Sequence, residues 1–297
     1  MTLFLVGGTG FIGRHVTKRL AMAGHTVIVF HRGETTPDLP PTVDIVRGNR
    51  DDTDALRTAL DAVAPDVVVD VIPYIEAQAA ALMDVCHGRT DRVVVLSSGD
   101  VYRQYDGLRP ERSEEVISGL RGSSDHPPDP VPMTEDAPLR TSRYPYRGAE
   151  TDFAYAHDYD KILVEEAMRA GAVPATILRL PKVYGPGDGQ RHVGEALVRL
   201  REAGGDLVLG EQEARWRWSR GYVENVAAAI ANAALSEAAA GRTYNVGEPF
   251  DRGTAALRLA VRDGNRHPSA SHRIGICRAG RARRGAATDD CVGGGSA

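Results

Sequence analysis

The stretch Leu3-Phe-Leu-Val-Gly-Gly-Thr-Gly-Phe-Ile-Gly13 constrains the fold more than any other part of the chain. Leu3 to Val6 is an apolar run, too short for a helix and ended by glycine, which is the pattern of a buried strand. Gly7, Gly8, Gly10 and Gly13 follow, and Arg14-His-Val-Thr-Lys-Arg-Leu-Ala21 then carries an amphipathic helical pattern. Strand, glycine turn and helix in this order are the setting of a dinucleotide-phosphate fingerprint. Gly7 permits a sharp turn, Gly10 lets backbone approach a pyrophosphate, and Gly13 lets the helix pack closely on the strand. Unpaired N–H groups and the positive end of the helix dipole then face the phosphates. Thr9, Phe11 and Ile12 lie inside the turn and complete this candidate cofactor-binding set. The competing reading is a glycine-rich turn with no ligand.

The elements that follow fix the class. Thr26 to Phe30 reads as a second buried strand, ending in His31-Arg32-Gly33. An acid after this strand holds the ribose 2′-OH in dinucleotide folds, whereas an arginine suits a 2′-phosphate. Arg32 therefore points to NADP, with NAD admitted. Val43 to Val46 is a third strand and leads to Gly48-Asn49-Arg50-Asp51-Asp52, where Asn49 and Arg50 join the cofactor-binding candidates. A helix with Leu56 and Leu60 on one face comes next. Val67 to Val71 and Arg92 to Leu96 are the fourth and fifth strands, separated by a helix from Glu76 to Cys86. Strands alternating with helices predict an α/β, Rossmann-type, doubly wound parallel sheet.

A chain of 297 residues can build one large α/β unit, or a nucleotide domain with a smaller partner. Its net charge of -4 gives no electrostatic case for nucleic acid. Cys86, Cys277 and Cys291 show neither metal spacing nor a disulfide framework, so no metal site is expected and a reducing, cytoplasmic setting is. The first strand begins so close to Met1 that a signal peptide is not expected, and no apolar run approaches membrane-spanning length.

Ser97-Ser-Gly-Asp-Val-Tyr102 follows the fifth strand, at the carboxyl edge where open α/β sheets bind ligands. With the N-terminal glycine motif, it resembles the extended and atypical short-chain dehydrogenase/reductases, the nucleotide-sugar epimerase/dehydratase group. By that register Ser98 is the hydroxyl that bonds substrate, against a plain turn or N-cap serine. Thr134 to Leu139 looks like the group's stretch before its catalytic helix. Thr176 to Pro186 looks like its sixth strand and the loop over the nicotinamide, which adds Val183 to the cofactor set. Gly221 to Ala227 and Thr243 to Gly247 look like elements of its substrate lobe. The resemblance spans roughly residues 2 to 249 and leaves the substrate open. It implies a domain over 1–175 with an insertion at 103–143, then last strands interleaved with a smaller C-terminal substrate lobe over 176–250.

The insertion, rich in charge, Pro and Gly, reads as a flap over the substrate side or as disorder. A second departure lies in the catalytic helix. The group places a tyrosine four residues before a lysine, so that both share a helical face. Here Lys161 is present, but position 157 is His, and Tyr159 precedes the lysine by only two. Either Tyr159 sits at a pre-helical kink and reaches the site, or His157 or Tyr155 replaces it; Tyr159 is the preferred choice. The resemblance implies hydride transfer at a carbinol, with the phenol as base, Ser98 orienting the substrate oxygen, and Lys161 favouring the phenolate and bonding the nicotinamide ribose. A solvated lysine paired with Glu165 is the alternative.

In similar nucleotide-sugar enzymes an arginine before the Tyr222-Val223 segment contacts the nucleotide diphosphate. The register is open between Arg217 and Arg220, with Arg220 preferred, and an alternating Arg/Trp ribbon explains Trp216-Arg-Trp218 equally well. The last 47 residues, 251–297, hold nine Arg against four Asp and no Lys, Glu or aromatic, leaving -9 on the body. Lacking an apolar face, they read as a disordered or out-of-frame tail. Three functions remain distinct: an NAD(P)-dependent epimerase, dehydratase or reductase acting on a nucleotide sugar or small polar carbonyl compound; an RNA-binding or regulatory relative, similar to chloroplast stem-loop RNA-binding proteins; and a nucleotide-binding protein without catalysis. The expected partner is a small-molecule substrate, with no membrane, nucleic acid disfavoured and a homodimer open.

Overall fold

Period-two alternation in the first strand decides how the layers assemble. In β1 (Thr2–Val6), Leu3 and Leu5 face one side of the sheet while Phe4 and Val6 face the other, and all four are fully buried. A strand buried on both faces needs a helical layer on each. The computed structural model describes residues 1–34, 38–105, 133–191, 194–204 and 219–248, and supplies both layers. The trailing segment 251–297 and Trp216-Arg217-Trp218 lie outside the described residues.

The strands β2 (Thr26–His31), β3 (Val43–Arg47), β4 (Val67–Asp70), β5 (Arg92–Ser98), β6 (Ala175–Leu180) and β9 (Thr243–Asn245) join β1 in a seven-stranded sheet ordered β3-β2-β1-β4-β5-β6-β9. Every pairing in it is parallel. The order reverses between β1 and β4, and such a switch point leaves a crevice at the carboxyl ends of the strands. On one face, α1 (Phe11–Met22) and α6 (Val223–Leu235) cover Leu3, Leu5, Val27 and Val29 with Val16, Leu20, Val226 and Ile230. On the other, α2 (Thr53–Val63), α3 (Glu76–Cys86) and α4 (Lys161–Ala170) cover Phe4, Ile28 and Phe30 with Leu56, Leu60, Leu82 and Met168. Each such side chain contributes about 1.5–3 kcal/mol when fully buried, so both faces drive assembly.

Two parts differ from expectation. Thr243–Asn245, expected in a substrate lobe, is the seventh strand of the main sheet, and Val223–Ala227 opens a helix packed against α1. A small parallel ribbon, β7 (Lys182–Tyr184) with β8 (Arg220–Tyr222), stands apart from the main sheet, and α5 (Gly194–Glu202) lies between them in sequence. Residues 106–132 of the insertion lie outside the described residues. Its returning limb does pack: Ala137 and Leu139 meet Val101 and Tyr102, and Leu139 bridges Tyr102.

Candidate active site

Each glycine of the first turn can be tested by what a side chain there would meet. Gly7 has φ +84°, a left-handed conformation that favours glycine. A Cβ on Gly13 would lie 2.2 Å from the Gly7 carbonyl oxygen and 2.9 Å from Gly8 Cα, so only glycine lets α1 approach β1 this closely. Gly10 is the opposite case. Its φ of -72° suits any residue, and a Cβ there would meet nothing nearer than 3.8 Å. Gly10 caps α1 with no side-chain hydrogen bond and no acid follows in the first turn, which leaves N–H groups at the helix start for an anion. Phe11 and Ile12, the first residues of α1, are partly buried against the core.

From this turn a cleft of about 240 Å³ runs across the strand ends. Thr9 and Gly10 line one side, Arg32 and Glu34 another, and Asn49, Arg50, Tyr74 and Tyr155 complete it. Arg32 is paired with Glu34 at 2.8 Å, both largely exposed. An acid is thus present in the cleft two residues beyond the position read from the sequence. Such an exposed pair is worth at most about 1 kcal/mol and opens readily. Arg50 is buried: Nη1 donates to both carboxylate oxygens of Asp70 at 2.9 Å and to Ile72 O, while Nη2 donates to Gln78 O. Its Nε has no partner among the described residues. Asn49 is exposed and accepts the Asp51 N–H. Tyr155 stacks on Tyr74 with centroids 5.4 Å apart and donates to Asp51 Oδ2 at 2.8 Å, forming a wall that sequence reading assigned elsewhere.

The second cluster lies where β5 ends. Ser98 leads into a 3-10 turn, Gly99–Val101, and its Oγ accepts the Asp100 N–H at 3.2 Å. Across from it, the segment leading into α4 is kinked. Asp160 is extended (φ -157°, ψ 108°) and caps α4 by accepting the Ile162 N–H, so the helix begins at Lys161. Tyr159 precedes the helix and bridges Ile75 in antiparallel fashion. The spacing of two is therefore no obstacle, because the two residues do not share a helix. Tyr159 is buried, its hydroxyl donating to Asp100 Oδ2 at 2.8 Å with the Ser98 hydroxyl beside it. His157 is exposed against Asp158, and Tyr155 faces the first cleft.

Lys161 is buried rather than solvated. Its Nζ donates to Pro73 O at 2.7 Å and Leu96 O at 3.0 Å and stands 5.9 Å from the Tyr159 ring centre. Burial pushes it down to about 8 against the opposing pull of Asp100 and Asp70. Glu165, the alternative partner, goes instead to Arg179, Ser97 and Arg169. Beside Lys161 alone, burial first, and then the charge of Asp100, hold the Tyr159 hydroxyl well above 10.0.

Three residues that sequence reasoning passed over hold this geometry. Arg140 donates from Nε to Asp100 O at 2.9 Å and from Nη2 to Asp160 Oδ1 at 2.7 Å, so one guanidinium ties the serine turn to the start of α4. Asp160 also accepts the Tyr144 N–H. Asp100 stood inside the serine motif, but only the fold shows what it faces. Val183 is buried in the core beside β8, and Arg220 is exposed on the ribbon, where its backbone pairs with Lys182. Among the described residues no group of His, Cys, Asp and Glu could hold a metal ion, and no helix is long and apolar enough to cross a membrane.

The profile of the NAD dependent epimerase/dehydratase family matches residues 3–247. A 2'-dehydrokanamycin reductase of Streptomyces kanamyceticus is 29% identical over 248 residues, covering 81% of this chain and 60% of that protein. The chain thus spans about three fifths of that relative's length. Among solved structures, the Bordetella bronchiseptica enzyme WbmG in complex with NAD and UDP superposes with a TM-score of 0.55 at 19% identity, covering 82% of this chain and 72% of that one. UDP-glucose 4-epimerase of Thermotoga maritima, solved with UDP-glucose, gives a TM-score of 0.57 at 17% identity, covering 83% and 77%. At these identities the likeness is one of fold.

Proposed function

Because this chain belongs to the NAD dependent epimerase/dehydratase family, we propose that it is an NAD(P)-dependent oxidoreductase acting on a secondary alcohol or carbonyl of a sugar, nucleotide-linked or free. The observation that carries this reading is the placement of Tyr159 outside α4, with its hydroxyl beside Ser98 despite the altered spacing. A nicotinamide cofactor supplies or accepts hydride when bound. The chain's own residues do the rest. The N–H groups at the start of α1 face a pyrophosphate, with Gly7 and Gly10 shaping the turn that brings it close and Thr9 at the rim. Asn49, Arg50 and Tyr155 bound the cleft that would hold the adenosine end. Arg32, once released from Glu34, favours a 2′-phosphate and hence NADP(H).

At the reacting end Ser98 donates a hydrogen bond to the substrate oxygen, and Tyr159 exchanges the proton at that oxygen. Lys161 spends two of its three N–H groups on carbonyls, and the third is left for a ribose hydroxyl. Arg220, on the ribbon, is the candidate contact for a substrate phosphate. The test is direct. NADPH and NADH are titrated by nucleotide fluorescence, and turnover is then followed by nicotinamide absorbance with UDP-glucose and with 2'-dehydrokanamycin. Tight cofactor binding with turnover of either compound supports the reading. A protein that binds neither nucleotide overturns it.

A further inference from the structure

Asp100 is half-buried with its Oδ1 shut off from solvent, and among the described residues Arg140 and Lys161 stand near it without hydrogen-bonding its carboxyl. Arg140 aims at the Asp100 carbonyl oxygen, the Ser142 carbonyl and the Asp160 carboxylate. Lys161 aims at the carbonyls of Pro73 and Leu96. Asp100 Oδ2 receives only the Tyr159 hydroxyl, and Oδ1 has no partner among the described residues. A buried carboxylate so poorly matched costs several kcal/mol, roughly, and a proton on it removes that cost. The Tyr146 ring covers Tyr159 at 5.0 Å, and both it and Tyr105 are held protonated by burial and by Asp100, so neither brings a countercharge.

We propose that Asp100 sets the protonation of Tyr159, the two sharing protons across one hydrogen bond so that the carboxyl restores the proton the phenol gives to substrate. This rests on the oxidoreductase reading above and deepens it. When Asp100 is ionised, the phenolic proton points at Oδ2 and away from the Ser98 side. When Asp100 is protonated, its O–H donates to the phenol oxygen and the phenolic proton is free for substrate. In a reduction, hydride from the reduced nicotinamide forms the new C–H bond. The Tyr159 O–H breaks as the substrate O–H forms, the Asp100 O–H breaks as the Tyr159 O–H re-forms, and Asp100 ends as carboxylate. Oxidation is the same sequence reversed. The phenol therefore acts without ever resting as phenolate, which its surroundings disfavour. Burial raises the Asp100 pKa, with Asp160 adding to it and Tyr159, Arg140 and Lys161 opposing, and this widens the range over which the carboxyl holds a proton.

The test needs no substrate. Protein labelled at the tyrosine 13Cζ is titrated by NMR, and the Tyr159 signal is identified by its loss in Tyr159→Phe. The expected result is a step in that signal above the ordinary aspartate value of 3.8 and below phenol ionisation, absent in Asp100→Asn. A signal with no such step, or a step that persists in Asp100→Asn, overturns the proposal. Should Asp100→Asn not fold, 13Cγ-aspartate labelling of the wild type and Tyr159→Phe decides instead. Removing the hydroxyl that favours the carboxylate must move the Asp100 titration upward, and an unmoved one overturns the pairing. NADPH titration of the same wild-type sample tests the oxidoreductase reading separately, since failure to bind leaves the NMR result standing.

Discussion

Two alanine substitutions three residues apart in the first turn should have opposite effects. A methyl on Gly13 would stand 2.2 Å from Gly7 O, and real Cβ atoms essentially never come under 3.0 Å. Helix α1 must therefore withdraw by about 1 Å, and both atoms in its way are backbone, so no side chain can rotate aside. Overpacking of this kind costs about 1–3 kcal/mol. For a chain of this size that lowers Tm by roughly 2–4 °C per kcal/mol, or about 6 °C in the middle of the range. Gly10→Ala has 3.8 Å of room and an ordinary φ, so its Tm should hold or rise slightly as the unfolded chain loses freedom. Its methyl, however, points into the open space assigned to the pyrophosphate. Loss of one or two phosphate hydrogen bonds to charged oxygens, about 1.5–3 kcal/mol each, weakens NADPH at least tenfold. Thermal melts and fluorescence titrations on both variants check this. A Gly10→Ala protein with wild-type NADPH affinity, or a Gly13→Ala protein with wild-type Tm, refutes the division of roles.

Other outcomes follow from the same geometry. Arg32→Ala should weaken NADPH far more than NADH, whereas Glu34→Gln, which frees Arg32, should tighten NADPH; equal losses for both nucleotides in Arg32→Ala sink the 2′-phosphate assignment. Tyr159→Phe should lower turnover by about 10²–10⁴ while cofactor affinity stays within about twofold, and His157→Ala should change neither. The opposite pattern in steady-state kinetics would transfer the role to His157. Glu165→Gln breaks a buried pair with Arg179 and should cost about 3 kcal/mol in denaturant unfolding. Burial alone would raise the Glu165 pKa, but Arg179, Ser97 and Arg169 prevail and hold it low. The unfolded chain thus binds the extra proton first, so the wild-type advantage stands above pH 4.5 and is lost as pH falls through the folded value. A difference that does not shrink in acid contradicts this.

The strands and the first turn were legible because local rules set them. Alternation and short apolar runs place β1 through β5 within one or two residues, and the sharp turn read at Gly7 and the close helix packing read at Gly13 are present in the fold. What local rules cannot give is which side of the sheet a late strand joins. Thr243–Asn245 pairs with Ile177–Arg179 of β6, with the Thr176 hydroxyl donating to Ala239 O just before it, and nothing in its own sequence announces that edge. The acid in the first cleft was missed for a similar reason: Glu34 lies beyond the expected position and returns to Arg32 only because the chain turns at Gly33, φ +87°.

The altered tyrosine spacing is accommodated by where the helix starts. On an unbroken helix, residues 159 and 161 would point nearly opposite ways. Asp160 removes that constraint by capping a helix that starts only at Lys161, and it can do so because each of its obligations is met. One carboxylate oxygen caps the helix, the Arg140 guanidinium neutralises the charge, and the Tyr144 N–H takes up the remaining acceptor. Arg140 in turn reaches Asp100 O, so the residue that permits the kink also sets the distance between the serine turn and the phenol. The geometric unit is therefore the clamp Asp100–Arg140–Asp160 with Ser98 and Tyr159 held on either side, and the lysine, 5.9 Å from the phenol ring centre, is a neighbour of that pair.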